Sequence, residues 1–284
     1  MRNKVVILGA GVVGRFAKLM LGEDAVCYDR KSPTATDYTC RYLGGNISRV
    51  MVPELKCTPG ILESTINGQK PTMDLIRMYK ELKTGSTDLD FGDVKQFLPI
   101  QPVFFVDLPE VEVQYGYDVK EIDIINKTIL FTNGESIVYN SIINTIPLNS
   151  LVSKILLYQG IITDKFLVRN KPIYYREEQG GMPKLPENHI LLDYKADDTQ
   201  IYYREMFTNT KRSVESNFNF QGAVPILPGK LLNSKYSEEL SKDLQLYGIY
   251  CYGRYARWRT KEHIHETFKN LRRFKERFGQ IGYC

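Results

Sequence analysis

The sequence predicts an α/β chain that combines a parallel-sheet unit with β-rich stretches. Three observations carry this. A strand–turn–helix–strand unit at the N-terminus holds glycines at a fixed spacing with an acid at the end of the second strand. A middle stretch of hairpin strands runs into a buried apolar strand. A last buried strand near the C-terminus is followed by an amphipathic helix.

The N-terminal unit runs from Lys4 to Asp29. Val5 to Leu8 is an apolar run of the length of a buried strand. Gly9-Ala10-Gly11-Val12-Val13-Gly14 follows as G-x-G-x-x-G, and Arg15 to Leu21 reads as a short helix ended by Gly22. Ala25 to Tyr28 is a second strand, and Asp29 closes it 20 positions after Gly9. Each residue type has a reason. Gly9 permits the tight turn, Gly11 lets a pyrophosphate approach the backbone, and Gly14 lets helix and strand pack closely. The helix N-terminus offers N–H groups and a partial positive charge to phosphates. Asp29 can accept hydrogen bonds from ribose hydroxyls, with Arg30 beside it. The alternative is a glycine-rich βα turn without a ligand. The motif points to a dinucleotide and a Rossmann-like arrangement, and by itself does not separate NAD from FAD.

Composition bounds the rest. The chain has 284 residues, 43% apolar and 25% charged, as expected of a globular protein. It contains no apolar run of about 18 or more residues, so no transmembrane helix and a cytoplasmic location are expected. Cys27, Cys40, Cys57, Cys251 and Cys284 are scattered, with no C-x-x-C pair and only three histidines, which argues against a zinc site or a disulfide framework. The net charge is +5, yet the last 31 residues alone carry nine basic residues (from Arg254 to Arg277) against Glu262, Glu266 and Glu276. That basic C-terminal segment reads either as a solvated helix face or as a surface for a phosphate backbone.

Along the chain, Arg30 to Tyr38 is polar and turn-rich. Arg41-x-x-Gly44-Gly45 reads as a second backbone turn against a cofactor or as a simple surface turn. Residues 49–70 suggest strands and turns, Thr72 to Leu82 a helix, and Val103 to Leu108 a strand. From Val111 to Pro147 the pattern is β-rich, with Asn133-Gly134 as a hairpin turn between Lys127–Phe131 and Ser136–Tyr139. Ser141 to Pro147 reads as a buried strand leading into a helix over Leu148 to Leu157. Further strands are expected at 166–168, 173–175, 190–192 and 201–204. Pro225 and Pro228 exclude a helix over 222–229. A helix over Lys235 to Leu244 and a buried strand over Tyr247 to Tyr252 follow. Thr260 reads as an N-cap to a terminal helix over Lys261 to Arg277, with Ile264, Phe268, Leu271 and Phe274 on one face.

Four of these pieces together resemble the glutathione-reductase-like FAD superfamily, in its amine oxidase, protoporphyrinogen oxidase and UDP-galactopyranose mutase branch. They are Gly9, Gly11 and Gly14 with Asp29; Arg41-x-x-Gly44-Gly45; the block from Val119 to Leu148 ending in Ile142-Ile143-Asn144-Thr145-Ile146-Pro147-Leu148; and Tyr250-Cys251-Tyr252-Gly253-Arg254 before the last helix. The gap from Asp29 to Arg41 is longer than is usual there, Asn140 stands where Asp is common, and the chain is short for this branch. The resemblance implies FAD as cofactor, with contacts at Gly9, Ala10, Gly11, Val12, Val13, Gly14, Asp29, Arg30, Arg41, Gly44, Gly45, Val119, Thr145, Pro147, Gly253, Arg254, His263 and Ile264. It also implies an FAD-binding domain over 1–58, 111–150 and 240–284, and a smaller, discontinuous β-rich substrate domain over 59–110 and 151–239. Arg254 beside Gly253 can pair with the pyrophosphate, and the N-terminus of the last helix can face the flavin pyrimidine ring.

The reaction is less legible. Tyr203-Arg204 resembles the branch's "YR" strand and Lys230 its "GK" turn, which makes Tyr203, Arg204 and Lys230 the catalytic candidates. Tyr255, Arg257 and Trp258 form a further cluster. Aromatic core plus surface cations is the alternative for each. The resemblance implies an FAD-dependent oxidoreductase of amine-oxidase type, oxidising a C–N or C–H bond of a small or nucleotide-linked substrate. Two alternatives stay open: a mutase-like enzyme using reduced flavin on a nucleotide sugar without net redox change, and a flavoenzyme of the bacteriophage DNA-hypermodification type acting on amino-acid-modified bases, with nucleic acid held by the basic C-terminal helix.

Overall fold

The structure, a computed structural model, describes residues 5–31, 42–44, 57–84, 87–89, 94, 97–106, 110–156, 170–178, 183–196, 204–208, 212–231, 236–259, 262 and 264–281. Val5–Leu8 (β1) and Ala25–Asp29 (β2) pair in parallel around the helix Val12–Leu21 (α1). Three later strands join them: Gln114–Tyr115 (β6), Ile142–Asn144 (β10) and Ile249–Cys251 (β16). The sheet order is β16-β10-β1-β2-β6, parallel throughout. All four residues of β1 are buried, because both faces of the sheet are covered. On one face Val5, Ile7, Ala25, Cys27 and Ile143 pack against Phe16 of α1 and against the terminal helix Ile264–Ile281 (α5). The Phe16 and Phe268 rings lie 4.0 Å apart, and the expected face of α5 is the buried one.

The opposite face carries Val6, Leu8, Ile142 and Ile249. They pack against the helix Ser237–Leu246 (α4) and a three-stranded antiparallel sheet of Val119–Asp123 (β7), Thr128–Phe131 (β8) and Ser136–Val138 (β9). The Asn133-Gly134 hairpin forms as read: Gly134 takes φ +90°, and the Glu135 N–H donates to Asn133 Oδ1 at 3.0 Å.

The second unit is an eight-stranded sheet containing Tyr42–Gly44 (β3), Cys57–Ile66 (β4), Ile100–Val106 (β5), Asn170–Glu178 (β11), His189–Tyr194 (β12), Arg204–Phe207 (β13), Arg212–Ser216 (β14) and Val224–Leu231 (β15). Its order is β15-β11-β14-β13-β12-β4-β5-β3, antiparallel except where β12 meets β4. The helix Met73–Thr84 (α2) covers one face through Ile76 and Tyr79. Pro225 and Pro228 lie on β15, an edge strand, where a missing N–H is tolerated.

Several boundaries move. α1 starts at Val12 rather than Arg15, because the Arg15 N–H already bonds the Gly11 carbonyl at 3.0 Å. The helix after Pro147 covers only Leu148–Val152 (α3): Ile155 leaves it to bridge Ile122 of β7. α5 is described from Ile264, and Glu262 lies outside it with its N–H on the Arg259 carbonyl; Thr260 and Lys261 lie outside the described residues. β3 belongs to the eight-stranded sheet and β4 spans the boundary expected at residue 58, so the chain crosses between the two sheets before residue 42. The expected strand at 166–168 lies outside the described residues. No described helix is long and apolar enough to cross a membrane.

Candidate functional site

The glycine turn sits at the C-terminal ends of the parallel strands, where open α/β sheets bind ligands. Gly9 has φ +96°, and its N–H donates to the Tyr28 carbonyl at 2.8 Å. A Cβ on Gly14 would stand 1.8 Å from the Gly9 carbonyl oxygen, so this helix-to-strand contact admits only glycine. Gly11 is the opposite case. It is exposed, and nothing lies within 4 Å of where its Cβ would be. It also begins α1 without a side-chain cap or an acid in the first turn. The turn therefore presents open space in front of uncapped helix N–H groups, which is what a pyrophosphate requires.

Other residues hold this turn. The Ala10 N–H donates to Asp29 Oδ2 at 2.6 Å, and the Lys31 N–H donates to Asp29 Oδ1 at 2.8 Å. Asp29 thus ties the turn to the end of β2, and a carboxylate still has capacity for further donors. Arg15 Nε donates to the Ala10 carbonyl at 3.0 Å and its Nη2 to the Tyr115 hydroxyl at 2.7 Å. Thr145 Oγ1 reaches the Leu8 and Gly9 carbonyls at 2.9 and 3.0 Å. Pro147 precedes α3, whose Leu148 N–H donates to the Tyr255 carbonyl at 3.0 Å. That bond brings in the C-terminal turn: Gly253, buried at φ +95°, lies against Val13, with a would-be Cβ 3.3 Å from Val13 Cγ2. Arg254 is exposed, with its guanidinium 5.9 Å from the Tyr255 ring centroid.

The structure thus gathers Gly9, Ala10, Gly11, Val12, Val13, Gly14, Asp29, Thr145, Pro147, Gly253 and Arg254 around one end of the parallel sheet. Arg30 is exposed just past Asp29, and Ile264 packs half-buried in the core beneath α1. Val119 lies on β7, where its carbonyl accepts from Lys154 Nζ. Gly44 sits on the far edge strand of the eight-stranded sheet, hydrogen-bonded to β5. Arg41, Gly45, Tyr203 and His263 lie outside the described residues.

Arg204 and Lys230 share the large sheet, but β14 and β11 separate β13 from β15. At about 4.8 Å per strand spacing they stand roughly 14 Å apart across the sheet, and Lys230 pairs with Lys171, four residues along β11 from the row of Arg204, so they are too far apart to serve one reacting bond together. Arg204 has closer company. Tyr194, Arg204, Glu215 and Tyr175 are directly opposite one another across β12, β13, β14 and β11, so they form one row on one face. Arg204 pairs with Glu215, and the Tyr175 hydroxyl donates to Glu177 at 2.5 Å. Tyr79 of α2 packs on this row, its ring 5.2 Å from that of Tyr194. Burial raises the Tyr79 hydroxyl's pKa, and the neighbouring Tyr194 raises it further. Tyr255 packs against the parallel-sheet core; burial raises its pKa, Arg254 lowers it, and Glu215 and Arg204 contribute with opposite signs. At neutral pH both hydroxyls are hydrogen-bond donors. Glu215 and Tyr175 were invisible in the sequence, because only the strand register places them beside Arg204. A separate cleft of about 280 Å³ flanks β2 between Lys18, Glu23, Cys27 and Glu112, and it shares no residue with the glycine turn.

The parallel sheet with its glycine turn, joined to the second sheet, gives a mixed α/β fold with a Rossmann-like parallel unit. Among solved structures, the chain is similar to reduced UDP-galactopyranose mutase, at 15% identity and a TM-score of 0.59, covering 94% of this chain and 93% of that one. It is also similar to a CLA-producing fatty acid isomerase from P. acnes, at 9% identity and a TM-score of 0.56, covering 97% and 98%. No protein-family model and no curated protein sequence matches.

Proposed function

We propose that this chain is an FAD-dependent oxidoreductase that accepts a hydride from a C–N or C–H bond of a small or nucleotide-linked substrate. The observation that carries the reading is the open backbone at Gly11, framed by the Gly9–Gly14 contact and by the Gly253 turn seated on Val13. The glycine turn alone serves any dinucleotide. Arg254, delivered by the Gly253 turn to the same end of the sheet, adds a cation from a second direction and supports FAD over NAD.

The residues present fit that cofactor. The uncapped N–H groups of α1 would take the pyrophosphate, Asp29 the adenosine ribose, and Arg254 the phosphates or the flavin end. Bound FAD would supply an isoalloxazine ring able to take two electrons and a proton from substrate. The protein's part is orientation and charge. The Arg204–Glu215 pair would hold the polar end of the substrate, and Tyr255, protonated, would donate a hydrogen bond.

The visible absorption spectrum tests the cofactor. Flavin bands that persist through gel filtration after FAD is added support the reading. A colourless protein that ignores FAD and binds NAD(H) overturns it. Anaerobic mixing with candidate amines then tests the reaction, since bleaching of the flavin bands is expected with a true substrate. A second reading, rearrangement of a nucleotide sugar with reduced flavin and no net redox change, is motivated by the shared fold with reduced UDP-galactopyranose mutase over nearly both chains. Turnover that appears only after dithionite reduction would favour it.

A further inference from the structure

Apart from Arg254, the basic C-terminal segment is not used by the reading above. Its nine cations against three acids exceed the +5 of the entire chain, so the remainder of the protein is close to neutral. Two of these cations are committed: Arg257 pairs with Glu262 at 3.3 Å, and Arg259 pairs with Glu238 at 2.5 Å. On α5 the situation differs. Lys269, Arg273, Lys275 and Arg277 are exposed, and among the described residues none of them makes an ion pair.

Their spacing is regular. Lys269, Arg273 and Arg277 follow one another at i, i+4 and i+8, so they fall on one stripe of the helix, opposite Phe268, Leu271 and Phe274 in the core. Successive cations rise about 6 Å along the axis, a step matched to neighbouring phosphates on an extended strand. Glu266 and Glu276 flank the stripe, and Glu266 is already engaged by another group.

We infer that this stripe binds the phosphodiester backbone of a nucleic acid. Charge complementarity names the chemistry, and the structure disfavours the other polyanion of comparable size, an acidic membrane. A helix that lies on a membrane keeps an apolar face free to insert. The apolar face of α5 is already spent on Phe16 at 4.0 Å and on Tyr250 at 4.9 Å. None of the exposed large hydrophobic residues lies on α5 among the described residues. Backbone contacts of this kind are independent of base sequence and fall steeply with salt.

The test needs no flavin. Anisotropy of a labelled DNA duplex, and of one of its single strands, is titrated with the full chain across a salt series. Three phosphate contacts predict roughly a 40-fold loss of duplex affinity between about 50 and about 200 mM salt. The triple variant Lys269→Gln, Arg273→Gln, Arg277→Gln should lose most of that dependence, while Lys70→Gln, Lys120→Gln, Lys242→Gln, which removes equal charge from exposed sites elsewhere, should keep it. Equal loss in both variants would reduce the effect to net charge and overturn the inference. So would the absence of binding at low salt, or binding to phosphatidylserine vesicles without binding to DNA. Unchanged circular dichroism of both variants keeps misfolding out of the comparison.

Discussion

The parallel sheet and the eight-stranded sheet solve the same problem, a strand buried on both faces, by opposite chemistry. In the parallel sheet the buried faces are apolar apart from Asn144, and its turns rest on close approach: Gly9, Gly14 and Gly253 let neighbours stand where a side chain would be. In the eight-stranded sheet, the face away from α2 carries an alternating ladder. Asp193 accepts from Thr65 Oγ1 at 2.8 Å and from the Gly68 N–H at 2.9 Å. Lys195 then links Asp193 to Glu205 at 2.5 and 3.0 Å, Arg212 links Glu205 to Glu178, and Arg176 pairs with Glu178. Three acids and three cations alternate, so no charge is left over. The first design holds a fixed shape around open space. The second holds register, because a slip of one residue would bring each charge to the wrong face.

The sharpest test of the first design is a pair of alanines three positions apart but opposite in consequence. In Gly14→Ala the new methyl meets the Gly9 carbonyl, a backbone atom that cannot yield, and a loss of about 4 kcal/mol or more in urea unfolding is expected, with FAD binding abolished. In Gly11→Ala the methyl meets nothing, so stability should stay within about 0.5 kcal/mol of the parent. Flavin affinity should nevertheless fall, because the methyl occupies the approach of the phosphates. If both variants unfold alike, or if Gly11→Ala binds FAD normally, the open space at Gly11 is not the cofactor's.

The ladder predicts a smaller, different loss. Glu205 is buried and bonded to both Lys195 and Arg212. Glu205→Gln leaves each cation one remaining acid, Asp193 or Glu178, so a cost of about 2–3 kcal/mol is expected rather than the full penalty of a stranded buried charge. Flavin binding should not change. A drop in FAD affinity that matches the drop in stability would mean that the two sheets do not divide the labour as described.

The same contrast explains what was legible in the sequence. The glycine turn could be read because its parts are contiguous and each glycine answers a local requirement. The buried face of α5 could be read because Phe268, Leu271 and Phe274 keep helical spacing. The ladder could not, because Asp193 and Thr65 are 128 residues apart and become neighbours only when β12 pairs with β4. Arg204 was read from a two-residue resemblance, but Glu215 gained meaning only from the β13–β14 register. Gly44 shows the converse. Paired glycines signal close backbone approach without saying whose, and Gly44 approaches β5 rather than the dinucleotide turn. The overlong helix after Pro147 has a related cause, since Ile155 continues the helical apolar spacing yet satisfies its burial by bridging Ile122.

Gly253 offers a milder test of the glycine device. Its φ of +95° strains any other residue, but its would-be Cβ meets only the Val13 side chain, at 3.3 Å or more, rather than backbone. Gly253→Ala should therefore cost about 1–2 kcal/mol, well short of Gly14→Ala, with weaker flavin binding because the turn delivers Arg254. Equal penalties at positions 14 and 253 would show that conformation, not contact, sets the cost at both.

Alkaline titration gives the finest separation of the two sheets. Burial pushes the thiols of Cys27 and Cys251 up from 9.0 to about 12. A raised folded pKa favours the folded state fully below the unfolded value, and that share of stability is lost as pH climbs from 9.0 toward about 12. Lys195 behaves alike in sign and differently in window. Burial lowers its pKa, but the hydrogen bonds to Asp193 and Glu205 outweigh that and raise it above 10.5, so its contribution persists until the pH passes 10.5. Unfolding free energy should thus begin to fall near pH 9, through the parallel sheet. Cys27→Ala should flatten that first decline, whereas Glu205→Gln should leave it intact and reduce only the later one. Should Glu205→Gln alter the slope between pH 9 and 10 instead, the ladder and the thiols would be parts of one cooperative unit, and the chemical division between the sheets would not extend to their stability.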